Sequence, residues 1–188
     1  MIVRRRDTAA VWSRQGKDLT DRFPDIAAAT VRILPAGCVV DGELVMLDES
    51  GRLSFDQLQR RLVTSPAKAR ALIAQAPASF MAFDLLAAGD VDLRPLRWST
   101  RRDRLESLAT WEPPLQLSPV THDVDEAREW FEVLPGAIGV EGLVVKGATS
   151  RYAPGRRDWL KVNSVGVAVF EEFTRGICDQ VSNGSRGA

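Results

Sequence analysis

The sequence predicts an α+β fold in which antiparallel β-sheets are flanked by helices. Strand-like runs outnumber helix-like ones, and the two do not alternate strictly, which argues against a doubly wound parallel sheet. CVVDGELVMLD (38–48) is a β-branched run closed by Glu49-Ser50-Gly51, a strand followed by a turn. Residues 54–63 and 66–76, by contrast, space their apolar positions as helices do.

Taken in order, MIVRRR and TAAVWSR read as two short strands with Asp7 at the turn between them. Pro24 opens a helix over PDIAAA, since proline is pre-set for a first helical turn. Ser54 and Ser65 are candidate caps for the helices at 54–63 and 66–76. ASFMAFDLLA (78–87) is a buried-type strand, STRRDRLESLA (99–109) a charged amphipathic helix, LQLSPV a short strand, and 123–134 another helix. EGLVVKGATSRYAPGRRDWLKVN (141–163) supplies two more strands, and VGVAVFEEF (165–173) a last one. The expected division is one domain over 1–174 and a loose, aperiodic tail over 175–188.

Bulk properties exclude several classes. The chain has 188 residues, 45% hydrophobic and 27% charged, enough for one ordinary domain or two small lobes. Its 25 basic and 25 acidic residues cancel, so net charge does not announce a polynucleotide partner. No apolar run approaches the ~20 residues of a membrane span, and the basic start lacks the apolar stretch of a signal peptide, so a cytoplasmic location is expected. Cys38 and Cys178 make neither a metal spacing nor a disulfide framework. His122 is the sole histidine, which excludes a histidine-based metal site, and no G-x-x-x-x-G-K-[ST] loop occurs.

The candidate chemistry is that of a nucleoside triphosphate and its metal. Alternation puts Asp41 and Glu43 on one face of their strand, with Gly42 between them free of a side chain. An exposed strand face is the competing reading. Phe83 projects opposite to Asp84; it belongs either to the core or to a stack on a base. In WLKVN, Lys161 and Asn163 share a face with Trp159, and a lysine at a strand end is a natural phosphate partner. Glu141 could hold Mg²⁺, an oxygen-seeking ion that keeps several waters. Lys146 falls on the face opposite Glu141 by alternation. The arginines around Arg151–Arg157, and the stretch Trp12–Lys17, suit either a polynucleotide backbone or a solvated turn.

These segments, in this order, resemble the adenylation domain of ATP-dependent DNA ligases, particularly bacterial ones of the end-joining type. SRQGKDLTDRFPDIAAA looks like the stretch after that family's nucleophile motif, VVDGELVML like its third motif, FMAFDLL like the next, EGLVVK like the fourth and WLKVN like the fifth. LRPLRWSTRRDRLESL looks like its connecting segment, and the resemblance runs from about residue 4 to 163. It implies a nucleotidyltransferase fold, ATP and Mg²⁺ as cofactors, nicked double-stranded DNA as partner, and a role in DNA repair. It further implies Arg14 at the 5′-phosphate of the nick, Glu43 at the ribose, Phe83 on adenine, Glu141 at the metal, and Lys146 and Lys161 at the phosphates.

Three departures accompany the resemblance. The family's nucleophile is the lysine of K-x-D-G, which takes AMP from ATP; no K-x-D-G occurs here, and the pattern places it upstream of Met1. The fifth motif's second lysine is Asn163. The family's C-terminal OB-fold has no counterpart in the last residues. The expectation is therefore a shortened adenylation domain, not self-sufficient in self-adenylation, whose missing pieces lie in other chain segments or a separate subunit. The alternatives are a non-catalytic ATP- or DNA-binding remnant and an RNA ligase or capping-type nucleotidyltransferase.

Overall fold

The opening hairpin forms as the sequence predicts: β1 (Ile2–Arg4) pairs antiparallel with β2 (Ala9–Val11). The computed structural model describes residues 1–153 and 159–163. The predicted strand at 165–173, the tail at 175–188 and Pro154–Arg157 of the basic loop lie outside the described residues. The chain divides into two units, Met1–Pro119 with Gly147–Arg156, and Val120–Lys146 with the residues from Arg157 onward.

In the first unit, β1 also pairs with β3 (Cys38–Met46), which pairs antiparallel with β4 (Ala78–Ala88). The far edge of β4 is shared. β5 (Val91–Asp92) lies against its end, and β6 (Leu115–Leu117) against Phe80–Ala82. The pairing is antiparallel as expected, with one parallel neighbour added, because β6 runs parallel to β4. The chain leaves β4, passes through α4 (Trp98–Glu106) and returns in the same direction, which is the crossover a parallel pair demands.

The remaining helices follow their local signals. α1 (Pro24–Ile33) begins at its proline. α2 (Phe55–Val63) and α3 (Pro66–Leu72) are capped by Ser54 and Ser65, whose hydroxyls accept from the Gln57 and Lys68 amides at 3.3 and 3.4 Å. The core gathers Ile2, Val11, Phe23, Ile26, Val40, Phe80 and Leu85, all nearly inaccessible to solvent. Buried arginines tie the surrounding chain to it. The Arg61 guanidinium lies 4.9 Å from the Phe23 ring centroid, donates to the carbonyls of Arg22 and Ala76, and pairs with Asp25.

In the second unit, α5 (Val124–Ile138) runs further than predicted, through Pro135, and ends on Gly139 in the left-handed region (φ 77°). Asp123 caps it, accepting from the amides of Asp125 and Glu126. Strands β7 (Gly142–Val145) and β8 (Leu160–Asn163) pair antiparallel. Leu143, Val145 and Val162 pack on Phe131 and Ala127 of α5. Among the described residues no helix is long and apolar enough to cross a membrane.

Candidate functional site

In the first unit the candidate residues ride on β3, β4 and the turn after β2. Glu43 is exposed on β3, paired in register with Met81. Phe83 is half-buried on β4, and the ladder skips it: Asp41 faces Asp84, whereas Gly42 faces Ala82. Phe83 is thus the extra residue of a β-bulge, so the simple alternation that set it opposite to Asp84 does not run through this point. Gly42 is needed for a reason inside the fold. A Cβ there would strike the Phe80 ring and the Met81 carbonyl, so its neighbour is the protein itself and not a ligand.

Asp41 and Asp84 share this stretch but have separate partners. Asp84 is wholly buried and takes a two-pronged pair of 2.8 Å bonds from Arg101 Nε and Nη2 of α4, while its Oδ1 also accepts the Leu85 amide at 2.9 Å. Arg101 spends a further donor on the Leu96 carbonyl at 2.6 Å. Asp41 accepts from the Tyr152 hydroxyl at 3.2 Å and from the Gly42 amide at 3.1 Å. Burial, reinforced by the Asp41 charge, pushes the Tyr152 phenol up to about 12. Asp84 is therefore a structural acid, a role that the sequence analysis did not find.

Arg14 stands exposed at the tip of a tight turn. The turn closes through Ser13 N–H to the Lys17 carbonyl at 2.9 Å and Gly16 N–H to the Ser13 carbonyl at 3.0 Å, and Gly16 supplies a φ of 78°. Lys17, in the same turn, is exposed, as is the sole histidine, His122.

In the second unit the β7–β8 ladder brings three of the predicted residues together. Lys161 lies opposite Val144, so their side chains share the face turned away from α5. Lys146, two residues beyond Val144, sets its Nζ 3.9 Å from the ring centroid of Trp159, which is two residues before Lys161. Glu141 Oε2 is 2.6 Å from Lys161 Nζ. Strict alternation would put Glu141 on the other face; it instead precedes the strand, joined to it by Gly142 at a φ of 155°. Any Cβ at Gly142 would collide with the Val162 carbonyl, so only glycine makes this approach. The Lys161 ammonium holds the Glu141 carboxyl below the usual glutamate range. Asn163 is exposed on the face of Lys161.

Among the described residues no group of three or more acidic, histidine or cysteine side chains forms a metal cage. A lone exposed carboxylate fits an ion of the magnesium type, which takes one or two carboxylates and fills its shell with water and phosphate oxygens. Cys38 is buried and free, and burial raises its thiol to about 11, leaving it inert at neutral pH.

The chain matches the family model for the ATP dependent DNA ligase domain over residues 1–163. DNA ligase C2 of Mycolicibacterium smegmatis is 41% identical over 160 residues, covering 84% of this chain and 45% of that protein. DNA ligase C of Mycobacterium tuberculosis is 34% identical over 167 residues, covering 86% and 46%. Among solved structures, mycobacterial DNA ligase D complexed with ATP and MES aligns with a TM-score of 0.66 at 30% identity, over 86% of this chain and 50% of that one. The chain spans about half the length of these relatives. With the DGE strand, the Phe83 bulge and the paired EGLVVK and WLKVN strands in the predicted order, this chain belongs to the ATP-dependent DNA ligase domain family.

Proposed function

We propose that this chain binds ATP as part of a bacterial DNA ligase adenylation domain, and that the full assembly acts on nicked double-stranded DNA in repair. The observation that supports this most directly is the open face of β7–β8, where Lys161 is exposed beside Glu141 and Lys146 is backed by Trp159. Two ammonium groups and one carboxylate on a short exposed ladder suit a polyphosphate and a divalent cation.

The roles divide by unit. In the first, Phe83 stacks on adenine, Glu43 holds the ribose, and Arg14 takes the 5′-phosphate of the nick. In the second, Lys146 and Lys161 contact nucleotide phosphates, and Glu141 is the carboxylate for Mg²⁺. The cation, when bound, neutralises charge developing on phosphorus. Lys161 exchanges its Glu141 partner for a phosphate oxygen without leaving its strand position.

No K-x-D-G motif occurs in these 188 residues, so formation of a lysyl-AMP is not assigned to any residue here. Calorimetric titration with ATP, with and without Mg²⁺, tests the binding reading. Saturable binding that weakens in Lys161→Met is the expected result. A flat titration at low salt sinks it. Intact mass after incubation with ATP and Mg²⁺ should stay unchanged, and a gain of one AMP would identify a nucleophile within this chain.

A further inference from the structure

We infer that Tyr152 is a positioning residue that sets the Asp41-Gly42-Glu43 stretch of β3 for the ribose of a bound adenine nucleotide. The inference rests on the nucleotide reading above and adds a residue to it.

Tyr152 reaches Asp41 from a segment fixed by its backbone. The carbonyls of Ser150 and Ala148 accept the Trp98 and Ser99 amides at 2.7 and 3.0 Å, and the Tyr152 amide donates to the Arg94 carbonyl at 3.1 Å. The Ser150 hydroxyl closes the turn onto the Gly147 carbonyl at 2.7 Å. Its ring lies beside Arg101, with 5.9 Å between the guanidinium carbon and the ring centroid. From that base the hydroxyl donates to Asp41 Oδ2, while Asp41 Oδ1 accepts the Gly42 amide.

The bonded carboxylate therefore clamps the backbone one residue before Glu43. Gly42 itself lies close enough to the Phe80 ring and the Met81 carbonyl that any Cβ there would strike both. Here too the β3–β4 register slips at Asp41/Gly42, so the ladder alone sets the geometry less firmly than a regular one. Glu43 is exposed, and its direction is set by the strand beneath it. The Tyr152 hydroxyl supplies the constraint that the bulged ladder lacks. Aspartate at position 41 and tyrosine at position 152 thus act through Glu43 and need not touch the nucleotide.

Tyr152→Phe keeps the ring beside Arg101 and removes only the hydroxyl. The test compares ATP with 2′,3′-dideoxy-ATP by titration calorimetry in the wild type, Tyr152→Phe and Glu43→Gln. The wild type should prefer ATP, and Glu43→Gln should erase the preference. Tyr152→Phe should bind ATP on the order of tenfold more weakly, with the preference reduced toward unity. A merely structural tyrosine would weaken both ligands alike and leave their ratio unchanged, which overturns the inference while the nucleotide reading stands. Failure of the wild type to bind ATP overturns both. If Tyr152→Phe does not fold, as judged by its melting transition, Asp41→Asn weakens the same bond from the other end and is read identically.

Discussion

Asp41 and Asp84 stand directly opposite each other across the β3–β4 ladder, two acids where like charges repel, and each is answered by a different side chain. Arg101 neutralises Asp84 from α4, and Tyr152 bonds Asp41 from the segment after β7. The pair explains why α4 is held to the sheet at this level, and it makes the cost of losing Arg101 large. Arg101→Ala leaves a carboxylate buried without its cation, and should lower unfolding free energy by about 3–5 kcal/mol. Urea denaturation measures it. A loss below 1 kcal/mol would mean that Asp84 finds water or another donor.

Gly142→Ala should destabilise the second unit through two combined effects. The φ of 155° is costly for any side chain, and the added methyl meets the Val162 carbonyl. A loss of about 1–3 kcal/mol is expected. Hydrogen exchange should show faster exchange confined to the β7 and β8 amides, with the first unit's sheet unaffected.

Lys161→Met separates binding from stability. The Glu141–Lys161 pair is exposed, so its removal should change unfolding free energy by less than about 1 kcal/mol. Under the proposed function the same substitution removes a charge-assisted phosphate contact, and ATP affinity should fall roughly 10- to 100-fold. The pH dependence has a definite sign. Because the folded Glu141 carboxyl lies below its unfolded value, the pair's small contribution is present above that value and fades as pH falls through the folded one. Glu141→Gln should flatten the acid limb of a stability–pH curve slightly.

The alkaline limb reports on Tyr152. Its phenol rises from an ordinary 10 to about 12, so the folded state keeps a proton that the unfolded chain gives up. The associated stability is complete below pH 10 and is lost as pH climbs toward 12, by about 1 kcal/mol for a half-buried group screened by solvent. Cys38, raised from 9 to about 11, adds a similar loss starting one pH unit lower. Tyr152→Phe should make the decline between pH 10 and 12 shallower, and a chemical-denaturation series across that range checks it.

What the sequence revealed depended on how local the cause was. Ser54, Ser65 and Pro24 mark helix starts because each acts within one turn, and all three do so here. The DGE strand and the faces of WLKVN were legible because alternation holds over a few residues. Alternation failed at Phe83 and at Glu141, where a bulge and a glycine with an unusual φ each break the two-residue period. The parallel return of β6 and the buried Asp84–Arg101 pair depend on where a crossover lands. No window of neighbouring residues contains that information. The face shared by Trp159, Lys161 and Asn163 was legible, and the structure adds a task for Trp159, whose ring carries the Lys146 ammonium.

The start of α4 has a consequence for how the chain is made. Arg97 supplies no side-chain cap, and the first two helical amides are satisfied instead by the carbonyls of Ser150 and Ala148. On a ribosome that helix emerges long before the residues that finish it, so its opening turn must stay frayed until β7 has been synthesised and the chain doubles back. Translation order and folding order therefore part company here, and a nascent chain halted before Gly147 would expose an α4 whose first turn is still hydrogen-bonding to water.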